Sequence, residues 1–127
     1  MQWGLLLAIA AGGALGSLAR HFVSTGIYNI TGTAFPWGIF AVNVFGGFIM
    51  GLVVELGALK LNYSLEMRAF LTTGVLGGFT TFSAFSLDAA LLIERGDWLA
   101  AALYMLGSVA MSVLALFGGL ALVRGFS

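Results

Sequence analysis

The side chains able to do chemistry in this sequence are few and of one kind. There is no cysteine and a single histidine, which excludes thiol nucleophiles, disulfide frameworks and Cys/His metal clusters. Residues 72–86, TTGVLGGFTTFSAFS, are instead dominated by Gly, Ser and Thr, although they lie inside the charge-free stretch 69–87. Asn43 sits in FAVNVFGG, and Tyr104, Ser108 and Ser112 follow at four-residue steps that place them on one helical face. Amides and hydroxyls of this sort make hydrogen bonds rather than covalent bonds. Phe79, Phe82 and Phe85 recur every three residues through the same run, and a ring edge is electropositive, so edges turned inward contact an anion without a formal charge. Donors and ring edges together suit a narrow anion path.

Each of these residues also has a plainer reading. An Asn in an apolar span commonly ties helices together, a lone serine packs, and an aromatic stripe fills space. Arg20 follows Gly12 and Gly16 at the same four-residue step. It either snorkels at a membrane interface or stands as a fixed charge that raises anion concentration in a vestibule. His21 beside it reads as an interfacial polar residue. Absences also inform: Glu55 and Asp88 fall near span ends, and the other acids fall in connections. A proton-coupled exporter of organic cations wants an embedded carboxylate, and a cation channel wants acidic rings or a carbonyl filter.

The elements that must position these groups follow from composition. Hydrophobic residues make up 61% and charged residues 8%, a balance that marks an integral membrane protein. Five basic and five acidic residues cancel, so nothing points to nucleic acid. Charged residues divide the chain into four spans, about 3–27, 36–58, 67–93 and 98–123, in a single membrane domain covering 1–127. The apolar start lacks a basic leading region and reads as a retained span. The third span is longer than the ~20 residues a straight crossing needs. That surplus, with its glycines and hydroxyls, predicts a helix broken at mid-membrane; a continuous helix with close-packing glycines is the alternative. Irregular backbone at that depth survives only where protein encloses it or where it lines a polar cavity. Trp3, Tyr28, Trp37, Tyr63 and Trp98 fall near span ends as interfacial anchors, and Tyr104 does not.

Orientation is nearly undetermined by charge. Lys60, Arg68 and Arg124 belong to one side, Arg95 and Arg20 to the other. Because Lys and Arg excess sets orientation, so even a count predicts insertion both ways up, unless the small difference suffices. Dual insertion permits an antiparallel homodimer with its two-fold axis in the membrane plane. Four glycine-rich helices are also few to enclose a polar path alone.

Taken together, GGALGSLAR at 12–20, WGIFAVNVFGG at 37–47 and above all GGFTTFSAFSLD at 77–88 resemble the Fluc family of small fluoride channels, also called CrcB. The likeness covers the whole chain. It implies four-span subunits in an antiparallel homodimer with two pores, in a bacterial inner membrane. It implies roles by position: Phe82 and Phe85 as pore phenylalanines, Asn43 as the pore asparagine, Tyr104 and Ser108 as fourth-helix pore residues, and Arg20 as the vestibule arginine. Ser83 and Ser86 match a polar track beside the rings, and Thr81 joins the ion path with them. The backbone carbonyls of Gly77 and Thr80 match those that hold a structural sodium ion at the dimer centre. Ile39 and Ala84 depart from the family's usual Thr residues, each removing a hydroxyl near the path. The expectation is an all-α membrane protein that passes fluoride passively out of the cell and is not an enzyme. A small proton-coupled multidrug exporter is the alternative, and the missing embedded Glu in the first span tells against it.

Overall fold

The computed structural model describes residues 3–125. Four helical spans follow one another: α1 (Trp3–Thr31), α2 (Trp37–Leu59), a composite third span (Leu65–Glu94) and α6 (Trp98–Gly125). The third contains α3 (Leu65–Ala69), a π-helical stretch (Phe70–Leu76), α4 (Gly77–Phe79) and, after an interruption at Thr80 to Phe82, α5 (Ser83–Glu94). All four spans are long and apolar enough to cross a membrane, and no strand occurs among the described residues. The helices overrun the sequence-based limits. The first continues to Thr31, the third begins at Leu65 and the fourth reaches Gly125, while Pro36 caps α2 and Trp37 begins it. Polar residues near the ends, such as Asn29 and Thr31, hide these extensions, because helices project past the hydrocarbon into the interface.

Local signals explain the ends. Gly32 and Gly96 turn with φ of 80° and 81°, values that only glycine adopts freely, and they close α1 and α5. Ser64 opens α3 by accepting the Met67 N–H at 3.1 Å. At the face carrying the first and third connections, the Arg95 guanidinium donates to the Ala34 carbonyl at 2.6 Å and pairs with Asp97 at 3.2 Å.

Packing joins non-neighbours: α1 lies chiefly against the π-helical stretch and α4, and α2 against α6. Glycines permit both seams. A Cβ on Gly12 would stand 2.5 Å from the Phe70 carbonyl oxygen and 2.9 Å from Gly74 Cα; one on Gly16 would overlap the Val75 carbonyl. Gly51 and Gly119 bring α2 and α6 equally close. A cluster of Ile39, Phe85, Ala89, Leu92, Ala101 and Tyr104 forms the core between α2, α5 and α6. Leu7, Phe22, Leu99 and Leu106 point outward, as lipid-facing side chains do.

Candidate functional site

The site is built at the interruption of the third span. After Phe79 the chain leaves helical geometry, Thr80 adopting φ −80° and ψ 157°. An interruption frees backbone groups that hydrocarbon cannot solvate, so each must find a partner. Asn43 supplies two. Its Oδ1 accepts the Thr81 N–H at 2.8 Å and its Nδ2 donates to the Thr81 carbonyl at 3.0 Å, so one side chain on α2 clamps both backbone groups of one third-span residue. The Thr81 hydroxyl accepts the Ala84 N–H at 3.2 Å and so caps α5 from within the break. Thr80 bonds back to the Leu76 carbonyl through both its N–H (3.0 Å) and its hydroxyl (2.9 Å).

The break diverts two helical donors. The helical donor to Gly77 would be the Thr81 N–H, which Asn43 takes, and the donor to Thr80 would be the Ala84 N–H, which the Thr81 hydroxyl takes.

Beside the break an open groove of about 450 Å³ runs between α2, the interruption and α6. Asn43, Thr80, Thr81, Phe82, Phe85 and Ser108 line it, with Met50, Ser112 and Leu116 further along. Ser108 is 5% exposed and its hydroxyl has no hydrogen-bond partner among the described residues. Phe82 is 78% exposed on the open side, whereas Phe85 is buried. Their rings stand 5.5 Å apart and continue into a stack: Phe85 lies 5.0 Å from Tyr104, which meets Phe35 edge-on at 5.6 Å. Tyr104 is fully buried, and its hydroxyl donates to Asp88 Oδ2 at 3.2 Å. No carboxylate lines the groove among the described residues.

Thus the structure gathers Asn43, Thr81, Phe82, Phe85 and Ser108 at one groove, with Tyr104 behind Phe85. Other sequence candidates stand apart from it. Ser86 donates to the Phe82 carbonyl at 3.0 Å, and Ser83 faces the Thr81 hydroxyl at 3.4 Å; neither lines the groove. Arg20 lies on α1, across the third span, and Phe79 is buried edge-on to Phe45. Sequence reasoning missed the Tyr104–Asp88 bond. The signal was present in Tyr104 itself, a mid-span hydroxyl that needs a partner. It also missed Gly46, where a Cβ would overlap the Thr80 methyl group, so that α2 can lie against the break.

Comparison with known proteins identifies the family. The family described as CrcB-like protein, Camphor Resistance (CrcB), matches residues 7–120. The Fluoride-specific ion channel FluC of Agrobacterium fabrum is 55% identical over 116 residues, covering 91% of this chain and 93% of that one. Its namesake in Chelativorans sp. is 56% identical over 119 residues, 94% and 95% of the two chains. The Fluoride-specific ion channel FluC 1 of Nitrobacter hamburgensis is 48% identical over 124 residues, 98% of each. A match that runs through all four spans and the interruption between them means that this chain belongs to the CrcB family.

Proposed function

We propose that this protein is a passive, fluoride-selective channel of the bacterial plasma membrane, which lets fluoride leave the cell. One observation carries the reading. A broken span, clamped by Asn43, opens a groove lined by hydrogen-bonding side chains and two phenylalanine rings and by no carboxylate among the described residues. Fluoride is small and strongly hydrated, so its path must replace water by donors. Among the described residues the Ser108 hydroxyl has no partner and no carboxylate lines the groove to repel an anion, while the edges of rings such as Phe82 and Phe85 are electropositive. The relatives named as fluoride-specific channels support the same reading. A channel lowers a barrier to passage and carries out no covalent reaction, so the reading is not that of an enzyme.

The working unit is an antiparallel homodimer. An open groove bearing Phe82 cannot enclose an ion by itself, and a second copy turned over about an in-plane axis would close it and make two equivalent paths. Gly77 and Thr80 would then meet their counterparts at the centre. Their carbonyls fit a sodium ion, four oxygens in all, and such an ion would join the halves and offset anion repulsion nearby.

Reconstitution of the purified protein alone into liposomes tests the function. Fluoride efflux read by electrode is expected, with chloride retained; no fluoride efflux, or efflux that needs a proton gradient and carries organic cations, would overturn it. For orientation, Asn62→Cys should label from both faces of intact cells. Replacement of sodium by a heavier monovalent cation should place anomalous density on the two-fold axis.

A further inference from the structure

A second groove, of about 420 Å³, opens between the latter half of α2 and the start of the third span. Its walls are Met50, Val53, Val54 and Ala58; its polar rim is Tyr63, Arg68 and Thr72. It exists because Gly57 has no side chain: the Tyr63 ring lies where a Cβ would be, 2.8 Å away, and folds the connection back over α2. Met50 lines this groove and the one at the break, so the two adjoin.

The basic residues differ in what they do. Arg95 is held by Asp97 and the Ala34 carbonyl, Arg124 by Glu55 at 3.0 Å, and Lys60 also has a partner. The side chains of Arg20 and Arg68 have no hydrogen bond or ion pair among the described residues, and of these two only Arg68 lines a groove. Thr72 gives its hydroxyl proton to the Arg68 carbonyl at 2.8 Å, which leaves the guanidinium as the charged donor at this rim. A guanidinium keeps its charge at any working pH, and low-dielectric walls of valine and alanine focus its field along the groove instead of dispersing it.

We propose that this second groove is the water-side mouth of the anion path, with Arg68 as the charge that concentrates fluoride there and Met50 as the junction to the groove at the break. The proposal rests on the channel reading above. In an antiparallel pair it gives each membrane face one such mouth. Arg68 acts on arrival, where charge raises local anion concentration, and not on the choice between anions, which is made beyond Met50 by donors and ring edges.

Flux from liposomes tests it at two ionic strengths. Arg68→Gln should lower fluoride efflux about three- to tenfold at ~0.01 M salt, and the deficit should shrink at ~0.3 M, where screening shortens the reach of a single charge. Arg68→Lys should restore most of the rate, and fluoride over chloride selectivity should stay unchanged in both. The absence of native cysteine allows a second readout. Met50→Cys should react with an anionic methanethiosulfonate faster than with a cationic one, reaction should block efflux, and the preference should disappear when Arg68→Gln is added. Normal efflux of Arg68→Gln at low salt, or an unreactive Met50→Cys in folded protein, would overturn the proposal. Labelling rates need no flux. A wild type that carries no fluoride yet retains the Arg68-dependent labelling preference would therefore sink the channel reading and leave the anion-accessible mouth standing.

Discussion

Up to Phe79 the third span meets α1 backbone to backbone, through Gly12, Gly16, Gly74 and Gly78; beyond Thr81 it meets α2 and α6 through side chains and leaves a groove. Both halves are rich in small residues, yet the outcomes are opposite. Glycine removes side chains so that two helices close without a gap, while the Thr80 and Thr81 hydroxyls bond backbone groups on either side of the interruption. The π-helical stretch lies on the closed side, where the carbonyls of Phe70 and Val75 face Gly12 and Gly16. The open side has Asn43 as its only tie from α2 side chain to third-span peptide among the described hydrogen bonds. The lesson is that a run of small polar residues has no single meaning; what faces each residue decides it.

Substitutions can break that contrast. Gly16→Ile puts a branched side chain into the Val75 carbonyl and the Phe79 amide, with backbone on both sides and nowhere to yield. Overpacking commonly costs about 1–3 kcal/mol even where neighbours are flexible. Loss of monodisperse protein on gel filtration is therefore expected, and a normally folded Gly16→Ile would show that the seam is not closed. Asn43→Ala comes next. It leaves the Thr81 N–H and carbonyl without partners, about 1–3 kcal/mol for each group, so unfolding in detergent should come at markedly lower temperature and flux should fall with it. Asn43→Asp keeps an acceptor for the Thr81 N–H and should lose less stability than alanine.

The phenylalanines sharpen the comparison further, because Phe79 belongs to the closed side and Phe82 to the open one. Phe82→Ile should cut fluoride efflux more than about tenfold, roughly 1.4 kcal/mol of barrier, with little change in thermal stability, since the ring is exposed within the subunit. Phe85→Ile should cut efflux similarly and also loosen the stack on Tyr104. Phe79→Ile should mainly cost stability, as a buried ring packed on Phe45 would. Near-normal efflux in both Phe82→Ile and Phe85→Ile would remove the rings from the path. The smallest effect is expected at Asp97→Asn. Both partners of the Arg95–Asp97 pair are about half exposed and Arg95 keeps the Ala34 carbonyl, so losing the pair should change stability by less than about 1 kcal/mol in detergent unfolding.

Much of this was legible before the structure. Charge-free stretches announced four spans, and the density of hydroxyls at 72–86 announced the interruption, because hydrocarbon tolerates released backbone only with such partners. Asn43 was legible as an amide that needed partners in an apolar span. That its partner is the Thr81 peptide was not, since the two are 38 residues apart and no local pattern links them. The π-helical stretch left no mark in composition: FLTTGVL would suit an α-helix equally. Ser83 and Ser86 look like Thr81 in sequence, and only the placement of the break separates them, Thr81 capping α5 while Ser86 bonds back within it. Arg20, legible as the deep cation, lines neither groove of the single subunit, and Arg68 was legible only as a loop charge.

The pairing of α1 with the third span, and of α2 with α6, has a consequence for biogenesis. Spans enter the bilayer in chain order, yet neither main partnership joins consecutive spans. When α2 arrives, the helix it will press against is still inside the ribosome, and α1 waits with its glycine face uncovered until the third span has been delivered. Asn43 must pass that interval with no peptide to clamp. Such crossed pairing makes the subunit a late assembler, since the α1 seam and the Asn43 clamp wait for the third span and the α2 seam for the last helix. A nascent chain halted before Trp98 would hold three spans, and the groove at the break would lack its α6 wall.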